Sequence, residues 1–329
     1  CPVVYSEQVA ITLLLLGFHQ LTLNKHKNIF LSGFFIALAA LTRPQVLPFG
    51  FIIIFVTLFS SSLVKVKVKK SIIFGLTFLA IFGIWPARNY FLHDQLILTK
   101  NAEGFVNWKE DVISFMQFTY SVKAEWDPQY TSIIKNEKTI YPAIAYGNSK
   151  EDSLKLEKAI YLSKNCGSGF SRKKGYWKKV ILNDEPNCNR EISKLFNELR
   201  EKQITNNPIN FYVLIPLQNL KKSIFKLNLY DQKSLARKIG SYLFLWRTLL
   251  ILSGILGVIL WLKNDFNELI LGIFLFFVSI YFILCFGTAP FMRNIEIRYF
   301  LPADIMLIIP AVYFFQKKIL NHLSRIKSL

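Results

Sequence analysis

Seven apolar runs restrict this chain to very few folds. They are Val9–Leu23, Ile29–Leu41, Val46–Leu63, Ser71–Leu92 (interrupted near its end at Trp85-Pro86), Ser241–Leu262, Glu268–Phe286 and Tyr299–Phe315. Apolar runs of this kind flanked by lysine are read as membrane-spanning helices, because a hydrocarbon core about 30 Å thick takes about 20 helical residues. Lipid offers no hydrogen bonds to a backbone, so a spanning segment must satisfy its own N–H and C=O groups as a helix. The 52% hydrophobic content and mean hydropathy of +0.33 fit that reading and not an ordinary soluble domain. The fold class expected is therefore an all-α polytopic membrane protein of about seven transmembrane helices, with a large, mainly helical insert on the outer face.

The positive-inside rule orients the runs. Asn24–Asn28, the lysine cluster Lys65–Lys70, Lys263–Asn267 and the tail from Gln316 all carry lysine and are assigned to the cytoplasm. Alternation then puts the N-terminus, Thr42–Gln45, His93–Gly240 and Gly287–Arg298 outside. This gives a four-span region 1–92, an extracytoplasmic insert 93–240, and a three-span region 241–329 with a basic tail. Many of the basic residues behind the formal charge of +19 sit in short clusters beside the apolar runs. No basic helix or RNA-binding motif accompanies it, which argues against a nucleic-acid partner.

The insert holds 24 Lys/Arg and 16 Asp/Glu, together with Trp108, Trp126 and Trp177. Glu191–Lys202 reads as an amphipathic helix, with Ile192, Leu195, Phe196 and Leu199 at i, i+3, i+4 and i+7. Asn207-Pro208 ends it, and Phe211–Ile224 leads back toward the membrane. Cys166 and Cys188 both fall in the insert, where an oxidising compartment permits a disulfide closing the loop Gly167–Asn187. Spacing leaves that bridge open. The rival metal-site reading lacks a CxxC pair or clustered histidines, and Cys285, inside a run, reads as packing.

Chemistry-bearing residues collect at the predicted outer boundary. Arg43, Arg88 and Arg298 stand there although they are far apart in sequence, each beside a proline or an aromatic residue. An arginine offers a planar fork of donors that matches phosphate oxygens and stays charged at any working pH. Each can equally snorkel to ordinary lipid or cap a helix end. Outside the insert the acids are Glu7, Asp265, Glu268, Glu296 and Asp304. Asp304 in an apolar run requires a partner, from Arg298 or from another helix. GxSxG, P-loop, HExxH and dinucleotide-binding glycine patterns do not occur.

Several short segments together resemble membrane glycosyltransferases of the GT-C fold, of the protein-mannosyltransferase and aminoarabinose-transferase type. They are Gly33-Phe34-Phe35-Ile36-Ala37-Leu38-Ala39-Ala40-Leu41-Thr42-Arg43-Pro44, Trp85-Pro86-Ala87-Arg88-Asn89-Tyr90, Asn207-Pro208-Ile209-Asn210-Phe211-Tyr212, Arg298-Tyr299-Phe300-Leu301-Pro302 and Tyr5-Ser6-Glu7. Trp85 and Pro86 are exchanged relative to the family's order, and the insert between about 100 and 190 resembles nothing in it. The resemblance implies transfer of a sugar from a polyprenyl-phosphate donor to a lipid, glycan or protein acceptor on the outer face of a bacterial plasma membrane. It implies Arg43, Arg88, Arg298 and Tyr299 as lipid-phosphate contacts, with Glu7 structural or acceptor-side. That family's catalytic carboxylate precedes the helices seen here. The chain is accordingly read as the C-terminal part of such an enzyme, with no catalytic base and no protein metal site assigned; a divalent-cation requirement stays open.

Two rival readings remain. An O-antigen polymerase or ligase shares the many spans and the large outer loop, but carries its arginines in loops and not at span ends. The second is not an enzyme but a transporter or membrane scaffold; inversely paired half-sequences or broken central helices would support a transporter, and the sequence shows no such pairing.

Overall fold

In their described residues all seven apolar runs are predominantly helical. The computed structural model describes residues 2–23, 25–59, 63–94, 109–147, 149–170, 186–225, 234–287 and 297–327. The first four runs become α1 (Pro2–Thr22), α2 (His26–Thr42), α3 (Leu47–Val56) and α4 (Val64–His93). The insert supplies α5 (Glu110–Val122), α6 (Asp127–Lys135), α7 (Lys150–Asn165), α8 (Pro186–Asn206) and α9 (Ile215–Phe225). The last three runs become α10 (Ser234–Asn264), α11 (Glu268–Phe286), α12 (Ile297–Met306) and α13 (Ile308–Lys327). No strand occurs among the described residues. Trp108, Trp177 and Glu296 lie outside them.

Helix lengths support fewer crossings than the seven expected. Among the described residues three helices are long and apolar enough to cross a membrane: Val64–Leu92, Ile239–Asn264 and Glu268–Phe286. The pair α12–α13 makes a fourth if its two halves, bent by 47°, form one span. His26–Thr42 and Pro44–Phe59 are apolar but shorter. At 1.5 Å per residue, the 17 residues of α2 reach about 25 Å, less than a typical hydrocarbon core. Two local expectations are also corrected. The lysines Lys65–Lys70 form the first turns of α4 rather than a connection, and α4 runs through Trp85-Pro86 without interruption to His93. Asp94 ends it in the left-handed region, φ 52°.

The chain divides into two units. The first comprises Cys1–Thr99, Ile224–Tyr281 and Glu296–Leu329. In it α1 packs on α2, α2 on α3 and α4, and α10 on α13. Phe49, Phe74, Phe78, Phe276 and Phe300 are fully buried, and the Phe49 and Phe276 rings stand 4.9 Å apart. Gly257 of α10 leaves room for α13, because a Cβ there would run into the Pro310 carbonyl. Pro310 also accounts for the bend. It has no N–H for the carbonyl of Met306, and its ring displaces that carbonyl. Outward, Leu76, Ile84, Phe91, Leu243 and Trp246 are exposed. Helices that stay apolar on an uncovered surface belong in lipid or against another apolar surface.

The second unit comprises Lys100–Ser223 and Phe282–Ile295. The amphipathic segment expected at 191–202 lies inside α8, with Ile192, Phe196 and Leu199 buried as its spacing requires. They meet Phe115, Phe118, Tyr130 and Phe170 in one core. α8 ends at Asn206, ahead of Pro208. Cys166 and Cys188 are joined, with Cα atoms 6.1 Å apart. The neck of that loop is held by two further residues. Gly169 and Val112 each donate a backbone N–H to the buried Asp111 carboxylate at 2.9 Å, and Asn189 pairs with Ser168 through both its amide atoms. Burial pushes the Asp111 carboxyl above its usual range, and the two N–H donors pull it back. Gly169 is required, because a Cβ there would collide with the Asp111 carboxylate.

Two outcomes follow for this unit. Replacing Cys166 and Cys188 by serine is expected to lower stability by about 3 kcal/mol, from the added entropy of the open unfolded chain. Urea unfolding of the purified chain with and without the bridge measures this, and coincident curves would contradict it. Asp152 is held below the usual carboxylate range by its 2.6 Å bond from Lys202, with a further bond involving Ser149. A depressed carboxylate contributes stability above its unfolded value of 3.8, and loses it as pH falls through the folded value. The melting-temperature difference between wild type and Lys202→Met should therefore be present at neutral pH and close up as the pH falls below 3.8 and through the depressed folded value.

Candidate functional site

Two charged clusters occupy the first unit. The first is built by the end of α2. The residue before a proline is driven out of the helical region, and Arg43, preceding Pro44, is extended at φ −143°, ψ 110°. Its N–H still closes the helix on the Ala39 carbonyl at 2.8 Å. The turn sends the Arg43 guanidinium onto Glu7 of α1, with which it forms an ion pair. Both side chains are largely buried, 17% and 11% exposed, which separates this pair from an ordinary surface contact. The turn Pro44–Val46 packs on α12, as does α1. That helix begins with Arg298 and Tyr299. The exposed Arg298 guanidinium lies 5.0 Å from the Tyr299 ring centre and donates to its hydroxyl at 3.2 Å.

Arg88 is on α4, exposed, with its guanidinium 5.8 Å from the Trp85 ring. The three arginines thus have different immediate neighbours: Glu7, Trp85 and Tyr299. Glu7 and Arg43 are brought together directly, and the packing of Pro44–Val46 and α1 on α12 adds the helix that carries Arg298 and Tyr299.

The second cluster joins three helices through buried side chains. Asp304 of α12, 2% exposed, accepts from Arg247 Nε at 2.7 Å and from the Tyr281 hydroxyl at 2.7 Å. Arg247 also donates to the Tyr281 oxygen at 2.6 Å, closing a triangle across α10, α11 and α12. The Phe244 and Phe300 rings flank the guanidinium at 5.7 and 6.0 Å. Asp304 thus has its ion-pair partner in another helix, and Arg298 takes a different neighbour. Arg247 was detectable, because it is the one charged residue within its apolar run Ser241–Leu262. Two opposite charges inside separate apolar runs point to each other, since either alone is costly in lipid. Tyr281 gave no such signal, being one aromatic residue among many.

Among the described residues no three His, Cys, Asp or Glu side chains gather as a metal-holding group. Comparison with protein-family models, with curated proteins and with solved structures finds no match to this chain.

Proposed function

We propose that this chain belongs to a membrane glycosyltransferase that moves a sugar from a polyprenyl-phosphate donor to an acceptor on the outer face of a bacterial plasma membrane. In this reading the seven helical runs are seven passes, the shorter ones crossing where the bilayer thins around them, and the second unit is the outer insert. The observation that supports it is the Glu7–Arg43 pair beside the helix that opens with Arg298 and Tyr299. Three of the five segments that resemble such enzymes belong to elements that pack on one another.

The chemistry follows from charge. An acceptor hydroxyl gives its proton to a carboxylate and attacks the anomeric carbon, and the polyprenyl phosphate leaves with the bonding electrons. Arginines at that phosphate stabilise the charge it gains. Glu7 pairs with Arg43, whereas Arg88 and Arg298 are exposed and open to a phosphate approaching from outside the helices. Arg43 adds donor geometry and is fixed by Glu7. No base is assigned, and no step runs through a metal.

The test is thermal unfolding of the purified chain with polyprenyl phosphate against uncharged polyprenol. The phosphate lipid should raise the melting temperature more, and Arg298→Ala should remove the difference. Equal shifts from both lipids would overturn the reading. A second reading, transport, is favoured by the 47° break between α12 and α13, three residues from the buried Asp304. It requires that a labelled donor change sides with its sugar still attached.

A further inference from the structure

The second unit connects to the first through a helix whose uncovered face is apolar. After Pro208 the backbone takes one π turn, Asn210–Leu214, and continues as α9. A π turn inserts a residue into the helical register, and here it leaves Tyr212, Val213 and Leu214 consecutively exposed. With Ile209 and Leu217 they form a strip in which each side chain is 44–68% exposed. Phe211, Ile215 and Asn219, on the opposite side, are buried. The helix is therefore apolar on both faces over its first half, which water does not favour.

What covers the strip is indicated by what holds the helix. The Asn219 amide donates to the Cys285 carbonyl at 3.4 Å, and Ser223 meets the Cys285 thiol at 3.9 Å. Cys285 is one residue short of the end of α11, a helix long and apolar enough to span a membrane. The Ile224 carbonyl accepts from Thr248 of α10, another such helix, at 2.9 Å. Cys285 stands at the end of its candidate span and Thr248 within its own, so the contacts of Asn219 and Ser223 hold α9 near the end of α11. The strip carries a tyrosine and is followed by the exposed Lys221, residue types that sit at the boundary between hydrocarbon and head groups. We infer that the face Ile209–Leu217 of the π turn and α9 is a lipid-contacting surface, lying in the boundary layer of a bilayer that contains anionic lipid.

The test uses the full chain in nanodiscs of phosphatidylcholine and phosphatidylglycerol. Cys1→Ser and Cys285→Ala are introduced, and an environment-sensitive NBD label is placed at Val213→Cys or, separately, Leu217→Cys. Glu201→Cys on the exposed side of α8 is the aqueous control. Emission from both strip labels should shift to the blue relative to the control and be quenched by lipids carrying a shallow nitroxide, while iodide in solution leaves it unchanged. Iodide quenching equal to that of the control would overturn the proposal, placing the strip in water. Protection from both quenchers would also overturn it, since a second copy or a protein partner would then cover the face. Because the strip positions are exposed, these substitutions disturb no packed core, and two sites guard against failure of either one.

Discussion

Asp304→Ala is expected to destabilise the first unit by about 3–5 kcal/mol, the usual cost of leaving one charge of a buried pair without its partner. The residue left behind is Arg247, 8% exposed and enclosed by Phe244 and Phe300. Tyr281 loses its acceptor at the same time. A double variant, Arg247→Met with Asp304→Leu, removes both charges and fills similar volume, and should recover most of the loss. Thermal unfolding in one detergent, with expression and disulfide content checked, provides the comparison. A single variant as stable as wild type would show that Arg247 reaches water. A double variant no better than the single would show that the three-way bonding, not charge balance, holds α10, α11 and α12 together.

The second large effect concerns turnover. Removing one donor from a developing oxyanion commonly lowers the rate by about 10²–10³-fold, and Arg298→Ala should lower sugar transfer by that order. Arg298 is exposed and rests on Tyr299, so its removal empties no core and should leave melting temperature and membrane insertion unchanged. Lysine at 298 keeps the charge but not the planar fork, and should give an intermediate rate. Arg43→Ala is a less selective probe. It leaves Glu7, 8% exposed, without its ion-pair partner, and will lower stability together with activity. Initial rates over a range of donor concentrations separate the cases. Full activity in Arg298→Ala would end the assignment of that residue to the donor phosphate.

Helices were legible in the sequence because apolar run length and lysine flanks are local signals, and all seven runs are predominantly helical in their described residues. The amphipathic face of α8 was equally legible, since Ile192, Phe196 and Leu199 recur at helical spacing and are buried. Pro86 misled, because a proline late in a long helix breaks it only where the freed carbonyl can be met in no other way. Pro310, near the start of α13, does coincide with a bend. Partnerships between distant residues were less legible. That Asp304 needs a cation follows from burial energetics, but choosing Arg247 over Arg298 requires knowing which helices pack. The same applies to Arg43, whose partner Glu7 lies on a different helix and is identified only by the packing of α1 on α2. The cysteine spacing permitted the 166–188 bridge without requiring it. What decides it is the way Asp111 and Asn189 hold the neck of the loop.

The most direct measurement follows the sugar itself. Full-length protein is reconstituted in proteoliposomes with a panel of polyprenyl-phosphate hexoses and pentoses, each labelled in the sugar, and with lipid, glycan and protein fractions as acceptors. The expected result is loss of label from at least one donor, release of polyprenyl phosphate, and label covalently attached to an acceptor, all strongly reduced in Arg298→Ala. Retention of the label on every donor lipid, with or without movement of that lipid across the bilayer, would contradict the transferase assignment.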